Sequence, residues 1–195
     1  LDWSGAAVGP QALTAKLYIP ARQGSLQPEL AAQARQHQRL VYSIRGEPQA
    51  LLDELAAGHP VLVLQNLALR WWPRWHYAVV IGYEPERGEL LLRSGTSKRH
   101  RVALSTFLHT WARGNNWGIV TLRPGHIPAT AEPGPYLAAA FDLEAAGLPE
   151  QAATAYRAGI DRWPGHSGLR LALANLYYAA GRTMDAADVL QQGIS

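Results

Sequence analysis

With 195 residues, 48% of them apolar and 17% charged, the chain has the composition of a globular protein and the length for one large or two small cores. Lys and Arg number 18 against 15 Asp and Glu, a net charge of +3 without any basic run, which argues against nucleic acid as a partner. The cysteine count of zero excludes disulfides, thiolate metal sites and a thiol nucleophile within these residues.

In chain order, Leu1 to Trp3 followed by Gly5 reads as the last turn of a helix closed by a glycine cap, with more of that helix expected before Leu1. Pro10 to Leu17 reads as a short helix with proline near its first turn, and Ser25 as the cap of another, whose Leu26, Leu30 and Ala34 share a face. Glu47 to Ala57 repeats the pattern with Leu51, Leu52 and Leu55, and Gly58 stops it. The period then changes. Val61 to Leu64 is a continuous apolar run, as in a strand covered on both faces, and Tyr77–Tyr83 and Glu89–Arg93 form an antiparallel hairpin across a Pro- and Gly-containing turn. Arg101–Leu104 and Trp117–Leu122 are further strands, with a helix over Ser105–Trp111 between them. Helices first and a mostly antiparallel sheet second make an α+β order. No stretch reaches the roughly 18 to 20 apolar residues of a membrane-spanning helix, and no signal-peptide pattern is present.

Four prolines within residues 124–135 oppose both a helix and a central strand, so a linker is expected there, between an α+β domain over residues 1–123 and a helical region over 136–195. Behind it, a shift of 34 residues superimposes Gly147 on Gly181, Ala152 on Ala186, Gly159 on Gly193 and Leu143 on Tyr177. This self-similarity resembles the tetratricopeptide repeat. In that family small residues sit where two antiparallel helices touch, a larger apolar residue follows and a proline closes the unit. Ala139, Ala140, Gly147, Ala152, Tyr156 and Pro164 match those places in one copy, and Leu173, Ala174, Tyr177, Gly181, Ala186 and Leu190 in the next. By the resemblance, Leu137, Phe141, Leu171, Asn175 and Tyr178 line the concave face, where they contact a partner peptide or, since so short an array has apolar surface to hide, face the first domain. An unrelated pair of amphipathic hairpins is the alternative.

His76 stands where a Trp/Pro/Arg loop enters the apolar run Tyr77–Tyr83, a position suited to proton transfer near neutral pH or, equally, to a structural histidine bonded to backbone. Gln65 and Asn66 end the preceding strand, where their amides either orient the imidazole and line a peptide groove or cap backbone groups. Trp71, Trp72 and Trp75, interleaved with Arg70, Pro73 and Arg74, read as a peptide-binding wall, a protein contact, or a lid over the domain's own core. His59, His76, His100, His109 and His126 form no HExxH pattern or close ligand pair, so no metal is expected; no phosphate-binding glycine loop or Gly-x-Ser-x-Gly elbow appears, and no cofactor is implied.

The succession Gly58-His59-Pro60-Val61-Leu62-Val63-Leu64-Gln65, then His76-Tyr77-Ala78-Val79-Val80-Ile81-Gly82-Tyr83, then Leu90-Leu91-Leu92, resembles the bacteriocin-processing, double-glycine cysteine peptidases, a papain-like fold. The resemblance covers about Leu1 to Leu122. It implies a cysteine on an N-terminal helix preceded by an oxyanion-hole glutamine, a histidine opening a later strand, and an Asp or Asn closing the next. Of these, the histidine falls on His76, while Ser94 stands where the family has its acid. The nucleophile is expected before Leu1. A serine can hold an imidazole tautomer but cannot stabilise the imidazolium as a carboxylate does. The expectation is therefore a domain that recognises or cleaves an extended peptide, inactive as this chain stands, with repeats for protein contacts. The alternative is a non-catalytic scaffold. By resemblance alone, such proteins are exported or periplasmic, in some cases lipid-anchored.

Overall fold

The computed structural model describes residues 3–5, 26–95 and 97–193. The helix expected over Pro10–Leu17 and the Ser25 cap lie outside them. Trp3 to Gly5 forms a turn, and Gly5 has φ +82°, the left-handed conformation that a glycine cap needs.

Among the described residues, helix α1 (Gln27–Gln36) is followed by β1 (Leu40–Ser43), α2 (Pro48–Ala56), β2 (Val61–Asn66), β3 (Trp75–Glu84), β4 (Glu89–Ser94), β5 (Ser97–Ala103), α3 (Leu104–Arg113) and β6 (Gly118–Leu122). Helices α4 (Pro133–Ala145), α5 (Pro149–Arg162), α6 (Ser167–Ala179) and α7 (Thr183–Gln191) complete the chain. This is an α+β arrangement with an antiparallel sheet followed by helices. Two elements depart from the sequence reading. Strand β1 has no counterpart in it, because Leu40-Val41-Tyr42 is too short an apolar run to display a period. Strand β5 runs from Ser97 to Ala103 and not over Arg101–Leu104: its polar residues pair with β4 by backbone, and Leu104 is already the first residue of α3.

The described residues divide into two compact units, one of Tyr42–Val120 with Pro128–Thr130, the other of the remainder. The strands form one sheet in the order β1-β6-β2-β3-β4-β5. Strand β2 pairs antiparallel with β3 and with β6, and the β3–β4 and β4–β5 pairs are antiparallel too. Side chains alternate across a pleated strand, so Val61 and Val63 on β2, Ala78 and Val80 on β3, and Leu90 and Leu92 on β4 share one face, and all six are buried. Phe107 and Trp111 of α3 are also buried. The indole N–H of Trp111 donates to the Trp117 carbonyl at 2.9 Å, which satisfies its one polar atom.

Helix α2 carries a carboxylate into this core. Glu54 is fully buried, and its oxygens accept from the backbone N–H groups of Ala129 (3.2 Å) and Thr130 (2.8 Å) and from the Thr130 hydroxyl (2.7 Å). The proline-rich stretch is thus held at residues 129 and 130 by a single side chain. Its last prolines, Pro133 and Pro135, occupy the first turn of α4, where a missing N–H costs no helical bond.

In the second unit, α4 to α7 form two successive helix pairs built alike. Gly147 and Gly181 both have φ +75° and close α4 and α6. The bonds Gly147 N–H to Glu144 and Leu148 N–H to Leu143 recur as Gly181 N–H to Tyr178 and Arg182 N–H to Tyr177. These pairs define the same glycine-centred helix stop. Ala140, Leu143, Ala152 and Tyr156 are buried in one copy, and Ala174, Tyr177 and Ala186 in the next, whereas Leu190, the counterpart of Tyr156, is exposed. Gly159 sits inside α5 because a Cβ there would lie 3.0 Å from both Leu169 and Tyr136. Helix α1 belongs to this unit as well, and Arg35 pairs with Asp142 of α4.

Candidate functional site

His76 faces Ser94. Register places Gln65 directly across from His76, and Ser94 follows Arg93, the partner of Val79. By alternation, Gln65, His76 and Ser94 continue the buried face of β2, β3 and β4 to the end of the strands, where burial gives way to half-exposure. The imidazole Nε2 and the serine Oγ are 2.7 Å apart. Among the described residues, Nδ1 has no hydrogen-bond partner.

Beside this pair the β4–β5 register slips: Leu92 pairs with His100 but Ser94 with Ser97, so one residue of β4, Arg93, opposes two of β5, Lys98 and Arg99. That bulge ends regular pairing next to Ser94, and the Leu92 pairing sets His100 on the same face. Burial, then the Arg74 guanidinium, then His100 hold the His76 imidazole below its ordinary value of 6.5. The ring is therefore neutral near pH 7. It can take a proton, yet its hydroxyl partner supplies no negative charge to stabilise the resulting imidazolium, and the Arg74 guanidinium opposes it.

The strand-end amides do not reach the imidazole. Gln65 Nε2 donates to the Thr110 hydroxyl of α3 at 2.7 Å, which ties the helix to the strand end. Asn66 pairs with Trp75 and lies on the opposite face from Gln65 and His76. Its Oδ1 accepts from the N–H groups of Ala68 (3.0 Å) and Arg74 (2.9 Å), and its Nδ2 donates to the Leu69 carbonyl (3.3 Å). Asn66 is a clasp for the loop, a role open to its residue type but not legible from its position. The tryptophans are no lid: Trp71 is 78% and Trp72 73% exposed, and Trp75 is exposed as well. Trp71 and Trp72 meet edge to face, with centroids 6.5 Å apart.

On the repeats, Phe141, Leu171, Asn175 and Tyr178 are exposed, and Leu137 is half-buried. Beneath them the Tyr136 hydroxyl donates to the Ala155 carbonyl (3.1 Å) and the Tyr156 hydroxyl to Glu144 (2.9 Å). Burial pushes both phenols above their usual range, for Tyr156 with help from the Glu144 carboxylate.

Sequence reasoning overlooks Thr110, and it weighs His100 only as a metal ligand. Both come to the site through strand register and helix docking, which leave no local pattern.

Residues 143–195 match the tetratricopeptide repeat family. They cover the end of α4 and helices α5 to α7, including both glycine-stopped turns. Among solved structures, the chain is similar to a Bacillus anthracis protein described as a C39-like peptidase, with 17% sequence identity and a TM-score of 0.44. The likeness covers 51% of this chain and 60% of that one, less than two thirds of its length. No curated protein matches the chain.

Proposed function

We propose that the sheet domain is a peptidase-like module that holds an extended peptide at the strand ends around Gln65, His76 and Ser94 without cutting it, and that the tetratricopeptide pair adds a protein-binding surface. The observation that carries this reading is the 2.7 Å contact between His76 and Ser94. A peptidase of the thiolate type needs its imidazole cationic opposite the thiolate, and then again as the acid for the leaving amine. Here a hydroxyl replaces the orienting carboxylate, and Arg74 and His100 oppose the cation. What remains at the strand ends is a half-exposed, neutral imidazole–hydroxyl pair, backed by the buried Gln65 amide, with polar atoms that complement a peptide backbone.

Fluorescence anisotropy with labelled extended peptides, followed by mass spectrometry of the same samples, tests the reading. Binding with intact peptide is expected, weakened about threefold to tenfold by Ser94→Ala. Cleaved product that disappears in His76→Ala would replace binding by catalysis. The unpartnered Nδ1 is the one observation on that second side, since a nucleophile needs a ring nitrogen free to take its proton.

A further inference from the structure

Five large apolar side chains are exposed within nine residues, Leu67, Leu69, Trp71, Trp72 and Trp75. Single exposed apolar residues are ordinary, but such a cluster is not. Nor is it loose. Besides the Asn66 clasp, the Leu67 N–H donates to the Arg74 carbonyl at 2.9 Å, Leu69 and Trp72 form an isolated bridge, and Arg113 Nη1 donates to the Ala68 carbonyl at 2.6 Å. The rings are held outward by construction.

Along the chain the charge beside them has one sign. No Asp or Glu occurs between Glu54 and Glu84, whereas Arg70 and Arg74 interleave with the tryptophans. Among the described residues, the guanidinium groups of both make no hydrogen bond or ion pair. Arg70 and Arg113, with Ala112 and Asn115, line a cavity of about 240 Å³, room for a phosphate group between two cations. Leu67 to Trp75 also contains no Ser, Thr, Asn or Gln. Its polar side chains, guanidinium and indole, therefore donate hydrogen bonds and accept none, which suits a layer rich in phosphate acceptors. Indole rings and arginines are what the headgroup layer of a bilayer selects: the rings settle at its apolar boundary and the cations meet anionic phosphates.

We propose that Leu67–Trp75, together with Arg113, is a peripheral membrane contact that seats Trp71 and Trp72 in the headgroup layer of one leaflet of an anionic bilayer. No helix among the described residues is long and apolar enough to cross a membrane. The contact does not rest on peptide binding at His76, although Arg74 also bears on that imidazole.

Co-sedimentation of the full chain with vesicles of phosphatidylcholine alone, and of phosphatidylcholine with phosphatidylglycerol, tests it. Uptake by the anionic vesicles, falling with added salt, is expected, and Trp71→Ser/Trp72→Ser should weaken it roughly tenfold or more. Arg70→Gln/Arg74→Gln, which keeps only Arg113 of the three cations, should reduce the preference for phosphatidylglycerol while leaving weak uptake. All four side chains are exposed and carry no side-chain hydrogen bond among the described residues, so unchanged circular dichroism melts should accompany both variants. A blue shift of indole emission on adding vesicles to the unaltered chain gives an independent reading. The proposal is overturned by absence of uptake, by uptake unchanged in the tryptophan variant, or by capture of inorganic phosphate or peptide at this segment while vesicles are ignored.

Discussion

Glu54 and His59 are joined twice. The His59 backbone N–H donates to the Glu54 carbonyl at 2.8 Å, closing α2, and His59 Nδ1 lies 2.6 Å from Glu54 Oε2. In a glycine-centred helix stop these two places normally hold a pair of apolar side chains; here a carboxylate and an imidazole fill them, and the carboxylate goes on to bind residues 129 and 130. Glu54→Ala would take the buried acceptor from donors at the exposed Ala129 and half-buried Thr130 and is expected to cost about 2 kcal/mol of stability. Urea denaturation measures it. Amide exchange at Ala129 and Thr130 should accelerate in the same variant, and a stretch that stays protected would mean other contacts hold it.

Ser94→Asp places a carboxylate against the His76 imidazole. An opposite charge at that distance favours the imidazolium, so the histidine should titrate roughly one unit or more higher, as read from its ring resonances by NMR. Stability should change with it. In the unaltered chain the depressed imidazole binds its proton less readily than in the unfolded state, so its contribution is present above pH 6.5 and is lost as pH falls through the lowered value. In the Ser94→Asp variant the dependence reverses: an imidazole raised above its ordinary value stabilises the fold at low pH, and that gain is lost as pH rises through its new value. An unmoved titration would show that the introduced carboxylate does not engage the ring.

The two helix stops of the repeats offer a matched comparison. Nothing lies within 4 Å of a Cβ at Gly147 or Gly181, so substitution meets no clash, only the left-handed backbone. Gly147→Ala and Gly181→Ala should each cost about 1 kcal/mol. Gly134, in the first turn of α4, has equally open space and no such φ. Gly134→Ala should instead stabilise by a few tenths to about 1 kcal/mol. Chemical denaturation of the three variants checks the signs, and equal penalties at all three would mean that backbone conformation is not the cause.

Much of this protein is written in local pattern. The apolar runs of β2 and β3, the helix stops at Gly58, Gly147 and Gly181, and the 34-residue self-similarity each rest on short local patterns, so one chain suffices to read them, whereas the alternating burial along β2 comes only from what packs on each face. The meeting of His76 with Ser94 depends on which strands pair and in what register. The partnership of Gln65 with Thr110 depends on where α3 docks. Asn66 and Gln65 show the limit plainly: adjacent and chemically alike, they point to opposite faces, one to a loop and one to a helix. Glu54 has the sequence setting of a solvated charge on a helix, and only packing turns it into a buried clasp, because a carboxylate's worth lies in donors that arrive from distant segments. The exposure of Trp71 and Trp72 belongs to the same class, since whether a tryptophan is core or surface is settled by what folds over it and not by the residue itself.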